Sequence, residues 1–185
     1  LTAFAGLHGL GAVSLRYFNV AGAYSAADGR VYGERHAVET HLIPNVLAVA
    51  LGRRESVSVF GTDYPTPDGT CIRDYIQVSD LARAHSVALQ YLRRGGASEI
   101  FNCGYSKGYS VHEVIAAVKR VSGVDFKVVL SPPRAGDPAA IVAASAKIRS
   151  ELGWQPEHDD LDRIVAQALA WEQRVDQLKA EPATA

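Results

Sequence analysis

The chain has 185 residues, 48% of them hydrophobic and 21% charged, an ordinary globular composition with enough length for one core. Its 19 Lys and Arg against 20 Asp and Glu leave a formal net charge of -1, so no long-range field draws nucleic acid or an anionic membrane, and any basic site is local. Cys71 and Cys103 stand apart without C-x-x-C spacing, which fits small core residues in a reducing, cytoplasmic compartment rather than a disulfide framework or a zinc site, and no apolar run reaches the roughly 18 residues of a membrane span.

In chain order, residues 1–15 are apolar but lack a basic leading segment and are broken by Gly6, His8, Gly9 and Gly11, so they read as the last turns of a helix rather than a signal sequence. The chain contains no methionine, even at position 1, which points to a fragment, a processed chain or a mis-assigned start. Residues 13–18 read as a strand, followed by a small-residue loop over 19–28. Residues 41–51 form a predicted helix, with Pro44 near its first turn, where a missing N–H costs least, and Gly52 just past its end. Residues 57–60 are a short strand. Residues 80–94 are a helix with Leu81, Ala84, His85, Ala88 and Leu92 on one face, stopped by Gly95 and Gly96. Residues 99–103 read as a buried strand. Ser110 and Glu113 form a capping box whose helix ends before Gly123. A strand over 126–130 and a helix over 160–178, with Leu161, Ile164, Val165, Ala168 and Leu169 inward, complete the pattern, and residues 181–185 read as a disordered tail. Alternating strands and helices define an α/β fold without internal repeats.

The run TPDGTCIRDYI at 66–76 sets a turn-forming Pro-Asp-Gly ahead of Arg73 in a short apolar strand, an arrangement that aims a guanidinium at a bound anion. Arg73 paired with Asp74 or Asp137 at the surface is the plainer alternative. GLHGLG at 6–11 has glycines like a dinucleotide fingerprint, but that fingerprint follows a strand and opens a helix, and this run does the reverse. None of the eight tyrosines is followed four residues later by lysine. Of the six histidines, His41 is the candidate site residue, and His8, His36, His85, His112 and His158 form no metal-like cluster in the sequence.

Taken with LRYFNVAGA at 15–23 and PRAGD at 133–137, the arginine run closely resembles the carboxyl-terminal half of the UDP-glucose 4-epimerase family of extended short-chain dehydrogenases/reductases, over residues 1 to about 171. The resemblance implies a partial NAD-binding Rossmann-like sheet, to which residues 13–18 and 99–103 belong, plus the smaller nucleotide-sugar-binding domain, with residues 1–180 as the substrate-binding portion. It implies that the chain starts shortly after the family's catalytic Tyr-x-x-x-Lys, so no catalytic residue and no metal ligand is expected here. By residue matching, Arg73 and Arg134 hold the diphosphate of a UDP-sugar, Asp137 accepts from ribose hydroxyls, and Asn19 bonds a phosphate or sugar oxygen. Thr40, His41 and Leu42 meet the nucleotide, Ser58, Val59 and Phe60 flank the uracil, and Tyr75 belongs to the substrate site. Tyr17 and Phe18 touch the nicotinamide end of NAD, although Phe18 and Phe60 could equally fill the core. Ile141 borders the sugar 2-substituent and leaves hexose against N-acetylhexosamine open. Gln77 stands where a histidine is common and Ala144 where an aspartate is, both at supporting positions. A homodimer is implied for the full-length family member. A related UDP- or dTDP-sugar epimerase or dehydratase, or a non-catalytic nucleotide-sugar-binding fragment, are the alternatives.

Overall fold

A computed structural model describes residues 2–180. A first helix, α1 (Thr2–His8), leads into β1 (Val13–Tyr17). β1 pairs in parallel with β8 (Glu99–Cys103), from Val13 opposite Glu99 to Tyr17 opposite Cys103. The crossover between them contains α3 (Val78–Arg93), which packs on β1. Among the described residues these two strands pair only with each other. Phe101 and Cys103 point into the core, whereas Ile100 is 43% exposed, so the expected buried strand is buried on one face only.

The segment read as a loop over 19–28 forms β2 (Asn19–Ala21) and β3 (Ala23–Ser25) instead. β2 runs parallel to β7 (Tyr75–Gln77), and β3 makes a hairpin with β4 (Val31–Gly33). Small side chains explain both the sequence reading and the outcome. Ala21 and Ala23 look like loop residues, yet they are buried because the final helix, α6 (Leu161–Ala180), packs closely over them.

α2 (Leu42–Ala50) starts at His41, whose backbone is extended, places Pro44 in its first turn and turns its Ile43, Val46, Leu47 and Val49 inward. The α3 N-terminus is capped by the Gln77 side-chain oxygen, which accepts from Ser79 N and Asp80 N. Leu81, Ala84 and Ala88 face the core as expected, but His85 lies on the exposed side. α4 (Val111–Ser122) opens with the capping box: Ser110 Oγ accepts from Glu113 N at 3.1 Å and Glu113 Oε2 from Ser110 N at 2.7 Å. Gly123, at φ +69°, ends it in the left-handed conformation that glycine adopts without cost.

β5 (Ser56–Phe60) runs parallel to β10 (Lys127–Ser131). In a separate small sheet β6 (Ile72–Arg73) lies between β11 (Ala140–Ile141), parallel, and β9 (Tyr109–Ser110), antiparallel. α5 (Ala146–Leu152), which the sequence pattern did not reveal, is one short helix with only Ile148 and Leu152 buried. Helices α2, α4 and α6 pack together, and a single apolar cluster runs from Val46 and Val59 through Phe101 and Val118 to Trp154 and Ile164. No helix among the described residues is long and apolar enough to cross a membrane. Residues 181–185, read as a disordered tail, lie outside the described residues.

Candidate functional site

Arg73 and Asp74 are neighbours in sequence with opposite fates. Asp74 is fully buried, and its carboxylate accepts from Tyr105 N at 3.0 Å, Ser106 N at 3.0 Å and Ala143 N at 3.2 Å. Burial nevertheless pushes its pKa above the usual aspartate range, with those three amides working against the rise. A Cβ at Gly104 would stand 2.5 Å from Ala143 Cβ and 2.8 Å from Asp74 Oδ2, so only glycine lets the chain approach this carboxylate. Asp74 is thus committed to the backbone, and Arg73 pairs with Asp137 in a close ion pair while donating from Nη1 to Ile72 O at 2.8 Å. The partner is Asp137 rather than Asp74, in a part-buried pair rather than a surface one.

Asp137 N donates to Arg134 O, closing a tight turn that joins Arg134 to the residue paired with Arg73. The Arg134 guanidinium carbon sits 4.0 Å from the centre of the Phe60 ring, a cation–π contact at the carboxyl end of β5. Ile141 lies opposite Arg73 in the β11–β6 register, and its carbonyl accepts from Asp74 N at 3.2 Å. At 39% exposed it presents an apolar side chain next to the arginine. Arg73, Arg134, Asp137, Phe60 and Ile141 therefore form one local cluster at strand ends.

A groove of about 530 Å³ opens beyond the end of β1. Tyr17, Phe18, Asn19, Tyr24, Tyr32, Glu34, His36 and His41 help to line it. Tyr17 is 54% exposed there and Phe18 half-buried, so neither is spent on the core. Asn19 joins the groove to the arginine cluster, because its backbone N–H and side-chain amide both donate to Asp74 O, at 3.0 and 3.2 Å. Thr40 is exposed just before the α2 N-cap, and Leu42 and Ser58 are half-buried.

Two expectations need correction. Tyr75 is 5% exposed within the apolar cluster, where burial pushes its phenol pKa up, and Val59 is fully buried, so both side chains build the core behind the site and face no ligand. Among the described residues His36 and His41 come together with Glu34 and Glu39, a grouping that the reading of the other five histidines did not consider. The signal was present as two Glu-x-His triplets, at Glu34 and Glu39, five residues apart.

The arrangement is a Rossmann-like α/β fold whose strand ends gather two guanidinium groups, a carboxylate and an aromatic ring beside an apolar groove. The chain belongs to the NAD dependent epimerase/dehydratase family, whose model matches residues 1–104. A UDP-glucose 4-epimerase of Azospirillum brasilense is 54% identical over 170 residues, covering 92% of this chain and 48% of that protein. The structure of UDP-glucose 4-epimerase from Brucella ovis in complex with NAD superposes with a TM-score of 0.86 at 43% identity, covering 92% of this chain and 52% of that one. The Bifidobacterium longum enzyme, solved with NAD+ and UDP, gives 0.82 at 35% identity, over 94% and 52%. The chain spans about half the length of the curated relatives it matches.

Proposed function

We propose that the chain is the carboxyl-terminal, UDP-sugar-binding half of a UDP-glucose 4-epimerase, the enzyme interconverting UDP-glucose and UDP-galactose. The observation that carries this reading is the joint placement of Arg73, Arg134 and Asp137 beside Phe60, in a chain 54% identical to such an enzyme. A diphosphate suits two planar guanidinium groups, and each charge-assisted bond contributes roughly 1.5–3 kcal/mol in a partly dry cleft. Asp137, held by Arg73 at the start, has a second oxygen with which to accept from ribose hydroxyls. Phe60, carrying Arg134 on one face, flanks the uracil together with Ser58 and the Val59 backbone. Asn19, Thr40, His41 and Leu42 line the other wall, and Ile141 borders the hexose. A diphosphate clamped at this point leaves the sugar free to turn about its own link, which presents either face of C4 to the same chemistry.

NAD supplies hydride removal and return at C4. The residues present fit one end of it: Tyr17 and Phe18 offer an apolar, accessible edge at the carboxyl end of β1, where nicotinamide would lie. The proton-transferring Tyr-x-x-x-Lys has no counterpart in this sequence and belongs, on this reading, to the other half of the protein. The same reading makes residues 13–18 and 99–103 strands of the NAD-binding sheet within a substrate-binding portion over 1–180, and makes the whole protein a cytoplasmic homodimer. Two free, buried cysteines are in keeping with a reducing compartment.

Calorimetry with UDP and uridine tests the anchor. Arg73→Ala and Arg134→Ala should each weaken UDP by roughly 1.5–3 kcal/mol, about 10- to 150-fold, and leave the weaker uridine binding nearly unchanged. Equal losses for UDP and uridine would mean that the arginines support folding rather than the diphosphate.

A further inference from the structure

The segment between β4 and α2 folds its two Glu-x-His triplets onto one another. His36 Nε2 lies 3.0 Å from Glu34 Oε2. His41 Nδ1 lies 3.2 Å from the same oxygen and 2.9 Å from Glu39 Oε1. The two imidazole rings are 5.0 Å apart, and one donor atom from each of the four residues falls within 4.8 Å of all the others. A tetrahedral ion with bonds of about 2.0–2.2 Å needs donors roughly 3.2–3.6 Å apart, so the four atoms already stand near the spacing an ion would impose.

The backbone holds this arrangement from both ends. Trp171 Nε1 donates to Glu34 O at 2.7 Å, and its ring lies where a Cβ on Gly33 would be, 2.4 Å away, so glycine lets the indole press directly against the segment. At the other end, His41 N donates to Glu39 Oε1 at 2.7 Å, and Asn45 Nδ2 donates to His41 O at 2.8 Å. Glu34 and Glu39 are each only about a quarter exposed, while both histidines stay reachable from the groove side.

We propose that Glu34, His36, Glu39 and His41 form a binding site for a zinc-class divalent cation at the mouth of the groove. Two imidazoles and two carboxylates match the borderline character of zinc, whereas calcium and magnesium call for six or more oxygens and find too few. Three of the ligands, Glu34, His36 and His41, also line the groove, so a bound ion stands beside Tyr17, Phe18 and Asn19. The proposal rests on the four side chains alone and does not depend on the nucleotide reading.

Equilibrium dialysis of the full chain, stripped of metal by chelation, against zinc chloride measures the site directly, and cobalt(II) gives its geometry through the visible bands of a tetrahedral complex. One zinc per chain is expected, undisturbed by excess calcium. His36→Ala and Glu39→Gln should each weaken zinc by more than the roughly 10–100-fold that loss of a mere supporting partner costs in metal sites. His85→Ala and His112→Ala should leave it unchanged. Far-ultraviolet circular dichroism of the metal-free variants checks that folding is preserved, and the cobalt spectrum of the parent decides the matter should either variant misfold. Binding well below one ion per chain, an octahedral cobalt spectrum, or zinc affinity that survives both ligand substitutions would overturn the assignment.

Discussion

Replacing Asp80 probes the joint between the first turn of α3 and the segments that carry Tyr105 and Glu157. Asp80 is fully buried in the first turn of α3, and its carboxylate accepts from Tyr105 Oη at 2.7 Å, His158 N at 2.9 Å and Glu157 N at 3.0 and 3.1 Å. Its backbone carbonyl, which a substitution leaves in place, accepts from Trp154 Nε1 at 3.0 Å. Asp80→Ala strands one buried hydroxyl and two partly buried amides. An unsatisfied buried donor costs about 1–3 kcal/mol, and amides near the surface recover part of this from water. Losing a favourable charge at a helix N-terminus adds roughly 0.3–1 kcal/mol, while removing a buried charge refunds some desolvation. The net expectation is a loss of about 2–5 kcal/mol for alanine and about 1–2.5 kcal/mol for asparagine, whose oxygen keeps part of the network. Urea unfolding followed by circular dichroism gives both values, with an unchanged m confirming that the native state is what weakened. Glu157→Gln, which breaks only the exposed Arg83 pair, should leave the unfolding midpoint essentially where it is. If alanine at position 80 costs less than about 1 kcal/mol, the carboxylate is not the joint described here.

Burial pushes the Cys103 thiol up to about 12, so at pH 8 its thiolate is scarcer than that of an ordinary thiol by roughly three orders of magnitude. Native protein should resist iodoacetamide at Cys103 until urea unfolds it, and fast labelling of the folded chain would refute the buried setting. Because the folded value is raised, the neutral thiol contributes stability that is complete below the ordinary thiol pKa near 8.5 and is lost as pH climbs toward 12. β1 and β8 pair only with each other among the described residues, so their free edges should drive self-association, visible as light scattering that grows with protein concentration. A thermal transition independent of concentration and with a high midpoint would count against it. Ile141→Ala should raise the affinity for UDP-N-acetylglucosamine relative to UDP-glucose by roughly tenfold or somewhat more, and Ile141→Tyr should lower it, as fits a hydrophobic pocket that changes by about 1–3 kcal/mol. An unchanged ratio in both variants would place Ile141 away from the sugar.

Local signals were readable in the sequence where chemistry and position coincide within one turn. Ser110 and Glu113 identify their helix start because both halves of the box lie three residues apart, and Gly123 ends the same helix for steric reasons visible in any sequence. The strand Asn19–Ala21 was not readable, because its identity comes from pairing with Tyr75–Gln77 more than fifty residues away rather than from its own small residues. Arg73 and Asp137, 64 positions apart, could be connected only through a family resemblance. Gln77 read only as a supporting position, and the contacts by which it supports could not be seen: it caps α3 while donating to Ala23 O and Gln167 Oε1, both at 3.0 Å. Val59 misled because it alternates with Ser58 and Phe60, and a period of two sends every second side chain into the core, whereas Tyr75 opens a strand whose three residues are all buried.

The chain has two tryptophans, and their settings differ as a spectroscopist would choose them to. Trp154 is sealed in the apolar cluster, with its indole N–H bonded to a backbone carbonyl, and should emit in the blue with little sensitivity to added solutes. Trp171 instead rests against Gly33 and donates to Glu34 O, directly behind the groove wall. Any event that shifts the 33–41 segment changes the polarity and quenching around this one indole while the other stays constant. The protein therefore carries an intrinsic fluorescent probe of its own groove with an internal reference, readable without a label.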